Sequence, residues 1–449
     1  MAVNIEIRQK KLFKKEITVP GIAELKNLSF GVANENYVII EGETGKYTIL
    51  YDKESIGRGF EVWIEDKDIF MRLPLPSTAG DIVKFYTLIE CLCGKMGVKE
   101  FIREGEKVPV EYCNMFIQQD TDASIEAIEE ITSRILSGES KQFFIFGAVN
   151  PVALGVKEVN KIAGNMDYFE ELLHELQTLD LYYASPRFYK KENGELFGMY
   201  FIEEDLVTAV PYSPYVLFEM DEEVNEWYMY LPGGITVSYD NFIEKAPHVR
   251  DYDDVRFITT LSEDDIMKIA DEYSVDVDSG EAVKKYYWGK MIDTGSWHSD
   301  KIVRLSLPLE KKCGYNHLSA MLIWAAKRNM LSDRLKEAFD GVEDIISGGQ
   351  TDVRDLIHTN EFFRGELRTY HFNDEIREFI KKYYIFNTQN ENGYPYCVDM
   401  NAENYFGEKY GSDEFKNEAY LFVPYDEKYI DNMSGYIDRA YERFLKGEF

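Results

Sequence analysis

Arg187-Phe-Tyr-Lys-Lys-Glu-Asn-Gly-Glu-Leu-Phe-Gly-Met-Tyr-Phe-Ile202 places two β-prone runs, Arg187 to Lys190 and Leu196 to Ile202, on either side of Asn193-Gly194. Asn-Gly tolerates the positive φ angles of a tight reversal, so the stretch predicts an antiparallel hairpin. Three further strands are expected downstream, at Tyr215 to Met220, Trp227 to Leu231 and Val255 to Thr260. A helix follows, opened by Ser262 with Asp265 at capping-box spacing. Upstream, Ile125, Ile128, Ile131 and Ile135 recur at helical intervals within Ser124 to Leu136, and a second amphipathic helix is expected from Asp167 to Leu176. Strands and helices do not alternate regularly, which argues against a doubly wound parallel sheet. The fold class expected is α+β, with mixed or antiparallel sheets and helices in a multi-domain chain.

The two ends fit that class. Short β-prone runs at Asn4 to Lys10, Tyr37 to Glu41, Lys46 to Tyr51 and Gly59 to Ile64 precede a helix that Thr78 and Asp81 open and Gly94 closes. Beyond residue 300 helix dominates, at Tyr315 to Asn329, Ser332 to Ile346, Asn373 to Tyr384 and Glu427 to Phe444, with one strand at Ala419 to Val423. Three units are expected: an N-terminal α+β unit over 1–118, an acidic α+β middle unit over 119–300, and a mostly helical unit over 301–449.

A chain of 449 residues is too long for one ordinary core. With 45% hydrophobic and 14% aromatic residues it has the apolar surface a folded chain needs. Its 50 basic and 81 acidic side chains give a net charge of −31. Residues 119–300 carry 14 basic and 37 acidic groups, so most of the excess is in the middle. Such a field repels phosphate backbones and anionic lipid, so neither direct nucleic-acid binding nor membrane binding is expected there. Five scattered cysteines make a poor disulfide framework, and the first fifteen residues hold no uninterrupted apolar run. Reduced thiols, a cytoplasmic location, no signal peptide and no membrane span are the expectations.

Motifs with chemical meaning fall short. Gly42 to Tyr47 lacks the glycine spacing and the Ser or Thr of a phosphate loop, and reads as a turn. Gly57-Arg58-Gly59 lacks the third glycine of a dinucleotide fingerprint. Asp276 to Tyr287 has Glu281 where a calcium loop needs Gly and Tyr287 where it needs Glu. His174-Glu175 lacks a second histidine at Thr178. The pairs Glu171 with His174 and Asp355 with His358 read as helix-surface neighbours. Cys91 and Cys93 read as packed thiols, and Asp251, Asp253 and Asp254 as a loop with a minor claim to acid–base work. The basic cluster Arg8, Lys10, Lys11, Lys14 and Lys15, close to Phe13, reads as the wet face of an edge strand. No cofactor and no metal site is expected, and no catalytic residue is assigned.

Lys11-Leu-Phe-Lys-Lys15, Ile56-Gly-Arg-Gly-Phe-Glu-Val62, Leu73-Pro-Leu-Pro-Ser-Thr-Ala-Gly-Asp-Ile82 with Phe85-Tyr86, and Leu231-Pro-Gly-Gly-Ile235 together resemble a family of bacterial proteins known only as a conserved domain of unknown function. The resemblance covers about residues 1–310. It implies a bacterial, cytoplasmic origin and carries over no catalytic residue or ligand.

The function expected first is therefore recognition of a macromolecule, with a protein partner of basic surface neutralised as immunity or inhibitor proteins neutralise theirs. The residues proposed to meet it are Glu219, Asp221, Glu222, Glu223 and Glu226, beside the aromatic anchor Trp227. The alternatives are an enzyme whose site assembles only in the fold, and a structural component of an assembly. A pocket lined by His, Asp or Glu would favour the enzyme; a flat acidic face rimmed by aromatics would favour the binder.

Overall fold

The computed structural model describes residues 2–9, 16–215, 224–386 and 393–448. Its N-terminal part is built on strands β1 (Ala2–Ile7), β2 (Ser29–Ala33), β3 (Ile39–Glu41), β4 (Thr48–Tyr51), β5 (Phe60–Glu65), β6 (Asp68–Pro74), β7 (Glu100–Arg103) and β8 (Glu106–Pro109). They form one sheet in the order β3-β2-β4-β5-β6-β1-β7-β8. The period-2 alternation of a strand sends Val3, Ile5, Ile7, Val62, Ile69, Met71 and Leu73 to one face, where they are buried. That face packs with the apolar stripe Ile82, Phe85, Ile89 and Leu92 of a long helix, Ala79–Met96. Thr78 caps the helix by accepting the Asp81 N–H at 3.1 Å. The helix runs past Gly94, the expected stop, and ends at Gly97, which takes the left-handed conformation at φ 69°.

Asp81 does not close a capping box. Its carboxyl reaches back to the β4–β5 loop and accepts the N–H groups of Arg58 at 2.7 Å and Gly59 at 3.1 Å. Gly57 is required beside it, because a Cβ there would lie 2.2 Å from the Asp81 Oδ2. The Arg58 guanidinium donates to the carbonyls of Pro76 at 2.6 Å and Phe146 at 3.0 Å. From helix Met166–Gln177, His174 Nδ1 accepts the Ile56 N–H at 3.0 Å, and Glu170 accepts the Ser55 hydroxyl and the Gly80 N–H. The segments 56–62 and 73–82 are thus two halves of one hydrogen-bonded joint.

The Asn193-Gly194 hairpin forms, with Arg187–Lys190 antiparallel to Leu196–Phe201 and Gly194 at φ 89°. It belongs to a four-stranded sheet completed by Glu226–Leu231 and Ile235–Ser238. A second four-stranded sheet takes the order Tyr182–Tyr183, Thr208–Pro211, Arg256–Thr259, Arg250–Asp253. Each contains one parallel pair, so the sheets are mixed. The strand expected over Tyr215 to Met220 lies almost wholly outside the described residues.

Two compact units emerge where three were expected: Met1–Asp265 with Tyr273–Val283, and Ile266–Glu272 with Lys284–Phe449. The boundary expected near residue 118 falls inside a continuous helix, Cys113–Leu136. In the C-terminal unit, helix Asn316–Ala326 is buried along its whole length and its Trp324 is fully enclosed. The single helix expected over Ser332 to Ile346 is two, Asp333–Ala338 and Val342–Ser347, separated before Gly341 at φ 70°. Helix Asp374–Ile380 passes into a π-helical turn, Lys381–Phe386. Ala419 to Val423, expected as a strand, is a 3-10 helix over Ala419–Phe422. Its apolar run serves packing of Leu421 with Ile302 and Leu307, and among the described residues this unit's sheet is the pair Met291–Thr294 with Glu366–Arg368. No helix among the described residues is long and apolar enough to cross a membrane.

Candidate active site in the C-terminal unit

Asp293 sits in the short strand Met291–Thr294, where a register shift between Met291 and Asp293 interrupts the ladder with Glu366–Arg368. Thr294 then caps helix Gly295–Arg304 by accepting the Ser296 N–H, which brings His298 into the first turns of that helix. Lys301 follows three residues on, at the spacing that shares a helix face. Tyr315 packs where a side chain at position 295 would be: a Cβ on Gly295 would lie 2.1 Å from its ring. His317 enters at the start of the buried helix Asn316–Ala326. Tyr384 comes from the π-helical turn, and Tyr420 from the 3-10 helix. The π-helical widening that carries Tyr384 is of a kind that occurs in single turns and recurs at functional sites.

These segments converge on one carboxylate. His317 Nε2 lies 3.0 Å from Asp293 Oδ2, and His298 Nε2 lies 3.2 Å and 3.3 Å from its two oxygens. The Tyr384 hydroxyl donates to Oδ2 at 2.6 Å, and the Thr294 N–H donates to Oδ1 at 2.7 Å. Burial would raise the Asp293 pKa, but the donors from His298 and His317 outweigh it and hold the carboxyl far below its usual range. An ionised carboxylate accepts only, so both Nε2 atoms carry their protons. His298 Nδ1 then accepts from the Tyr420 hydroxyl at 2.6 Å. His317 Nδ1 is buried and makes no hydrogen bond among the described residues. Burial, and then the neighbouring His298, push the His317 pKa down.

The three groups open into a pocket of about 210 Å³, lined also by Lys301, Asp399 and Tyr420. Lys301 pairs with Glu418 at 3.0 Å. Burial, reinforced by the Glu418 charge, raises the Asp399 carboxyl above its ordinary value. Burial also raises Tyr384 and Tyr420, so both hold their protons.

Asp293, His298 and His317 can each offer one donor atom within 4.8 Å of the others. The Nε2 protons that bridge to Asp293 would leave on metal binding; atoms bound at about 2.0–2.2 Å around a tetrahedral ion stand roughly 3.3–3.6 Å apart, a little wider than the 3.0–3.3 Å hydrogen bonds observed between the carboxylate and the two imidazoles. Tyr384 and the Thr294 N–H would orient the carboxylate, and Tyr420 would orient His298, as supporting groups do in metal centres.

The residues singled out from the sequence lie elsewhere. Glu219, Asp221, Glu222 and Glu223 are outside the described residues, as are Lys10, Lys11, Phe13, Lys14 and Lys15. Glu226 is paired with Lys191 at 2.7 Å and also accepts from the Tyr228 hydroxyl. Trp227 is half-buried against Gly198 and the rings of Phe188 and Tyr200. Asp251, Asp253 and Asp254 do not form one group: Asp251 pairs with Lys157, whereas Asp253 is buried against Arg256. Gly42 lies in the turn between β3 and β4, and Asp276 accepts the Asp278 N–H within a turn. His358 is bound to the Tyr315 hydroxyl, and all five cysteines are free. Asp293, His298 and His317 were missed because they share no single-element spacing. The only trace in the sequence is that His317 stands directly before the nearly apolar run Leu318 to Ala326, nineteen residues after His298.

No curated protein and no solved structure matches the chain. Residues 291–412, which hold most of the pocket and which the resemblance to 1–310 left largely unmatched, are similar to a second family model, Domain of unknown function (DUF7832). Residues 2–269, more than half of the sequence and including the joint built on Gly57, Arg58 and Asp81, match the model described as Domain of unknown function (DUF4299), and the chain belongs to that family.

Proposed function

We propose that the chain is an enzyme whose C-terminal unit uses Asp293, His298 and His317 to hold a divalent transition metal for hydrolysis of a small polar substrate. The observation that carries this reading is the meeting of three donor atoms at the wall of a pocket. Structural zinc sites close around the ion with four protein ligands, whereas catalytic ones use three and leave a position for water. A bound ion would supply water of pKa near 7 in place of about 15.7. Asp399, protonated more readily than an ordinary carboxyl, is the general acid at the pocket wall, and Lys301 moderates its charge. Tyr384 and Tyr420 position Asp293 and His298. Five free thiols suit a reducing, cytoplasmic setting.

Recognition of a basic protein ranks behind this reading, since Glu226 is already engaged by Lys191 and Trp227 by its own sheet. The test is a zinc titration of the chelator-treated full chain by calorimetry, with p-nitrophenyl acetate hydrolysis followed in parallel. One ion per chain, bound about 100-fold more weakly after His298→Ala, and metal-dependent turnover lost in the same variant are expected. A wild-type chain that binds no zinc tighter than about 100 µM rejects it.

A further inference from the structure

A second cavity, independent of the C-terminal site, lies in the N-terminal unit. The helix-free face of the sheet presents Val32 of β2, Ile49 of β4, Glu61 of β5, and Arg72 and Pro74 of β6, and with Arg58 and Phe146 these bound a cleft of about 670 Å³. That volume suits a small organic ligand of nucleotide size. One wall is aromatic: the rings of Tyr37 and Phe146 lie 4.2 Å apart and 31° from parallel, and Tyr37 remains 39% exposed.

The charge of the cleft runs against that of the chain. Lys46, Arg58 and Arg72 line it against Glu35 and Glu61, in a protein of net charge −31. Arg72 is held by Glu61 only at 3.3 Å, with half of its side chain exposed. Arg58 is the unusual member. Its Nε and Nη1 are fixed on the carbonyls of Phe146 and Pro76, while Nη2 makes no hydrogen bond among the described residues. Burial lowers its pKa to about 10, which leaves it cationic at neutral pH. A guanidinium oriented by two carbonyls, near the Asp81 and Glu61 charges but with no direct ion pair among the described residues, is prepared to donate to an oxyanion.

We propose that this cleft binds a small organic anion, a flat ring bearing a carboxylate or phosphate group, with the oxyanion held by Arg58 and Arg72 and the ring against Tyr37 and Phe146. The site differs from a phosphate loop, since the oxyanion is held by guanidinium groups in place of a helix N-terminus, so binding is expected to be independent of magnesium.

The experiment is calorimetric titration of the full chain at low salt with adenosine 5′-monophosphate and, separately, with phenylacetate, adenosine serving as the uncharged control. Saturable binding of either anion, at least about tenfold tighter than adenosine and unaffected by magnesium, is expected, and whichever binds identifies the oxyanion. Arg58 also joins loops, so its substitution would confuse folding with binding; the exposed Arg72→Gln and Lys46→Gln replacements are the variants of choice. Each should weaken binding by about fivefold while the melting curve stays in place. Absence of saturable binding by both anions up to about 10 mM, equal binding of adenosine, or unchanged affinity in the Arg72→Gln, Lys46→Gln double variant would overturn the proposal.

Discussion

Replacing Gly57 by alanine tests whether the joint between segments 56–62 and 73–82 supports the N-terminal unit. Gly57 does not need a positive φ, so the consequence is purely one of space. The added methyl would stand 2.2 Å from Asp81 Oδ2 and 2.7 Å from Thr78 Oγ1, against the 3.0 Å or more that a real contact requires. Moving the carboxyl by about 1 Å stretches the 2.7 Å and 3.1 Å hydrogen bonds to the Arg58 and Gly59 N–H groups past useful length. Each buried donor left unsatisfied costs about 1–3 kcal/mol, and the stiffer unfolded chain returns about 0.4–1 kcal/mol. The net loss expected is about 1–5.5 kcal/mol, confined to the unit that holds residues 1–265. Urea titration read by hydrogen exchange with peptide resolution is the appropriate assay, because it reports the two units separately. Peptides from helix Ala79–Met96 should lose protection at lower urea while those from 316–326 keep theirs. Loss below about 0.5 kcal/mol, or equal loss in both units, would refute the reasoning.

Three further outcomes are expected. His371 is fully buried and neutral, with Nδ1 accepting the Arg368 N–H and Nε2 donating to the Phe362 carbonyl, and burial lowers its pKa to about 3. The unfolded ring protonates near pH 6.5 while the folded one does not, so its contribution is intact above that pH and is lost as pH falls toward 3, by about 2 kcal/mol between pH 7 and 5. An NMR titration that puts the His371 midpoint above about 5, or a His371→Asn variant with an unchanged pH profile, would contradict this. Burial pushes the Cys93 and Cys113 thiols up to about 12, so at pH 8 a thiol reagent should leave both unmodified in the native chain and count five after unfolding. Glu226→Gln should destabilise its sheet by about 1 kcal/mol, because Lys191, only 7% exposed, loses its counter-ion; a charge change on a free surface would leave the urea midpoint in place.

Local structure was legible wherever one stretch of chain carries its own signal. The Asn193-Gly194 hairpin, the hydroxyl cap of Thr78, the Ser262–Asp265 box and the apolar stripes of the long helices all rest on neighbours a few residues apart, and these form as expected, whereas the return bond from Asp81 to Thr78 does not. Composition likewise conveyed the mixed α+β character, because period-2 and period-3.6 runs occur in different parts of the chain. Gly94 was misjudged as a stop and Ala419 to Val423 as a strand because a helix end needs a left-handed residue and a strand needs a neighbour, and neither is settled by propensity. The joint was half visible. Gly57, Arg58 and Asp81 stood out as motif residues, but only folding sets the Asp81 carboxyl on the Arg58 and Gly59 N–H groups. The candidate active site was not visible at all. Asp293, His298, His317, Tyr384 and Tyr420 lie on five elements spread over more than a hundred residues, and hydrogen bonds of about 3 Å between them depend on the packing of a buried helix against a π-helical turn and a 3-10 helix. Sequence determines which side chains are available and where the backbone turns; which of them share a pocket is decided by long-range packing, which no local pattern records.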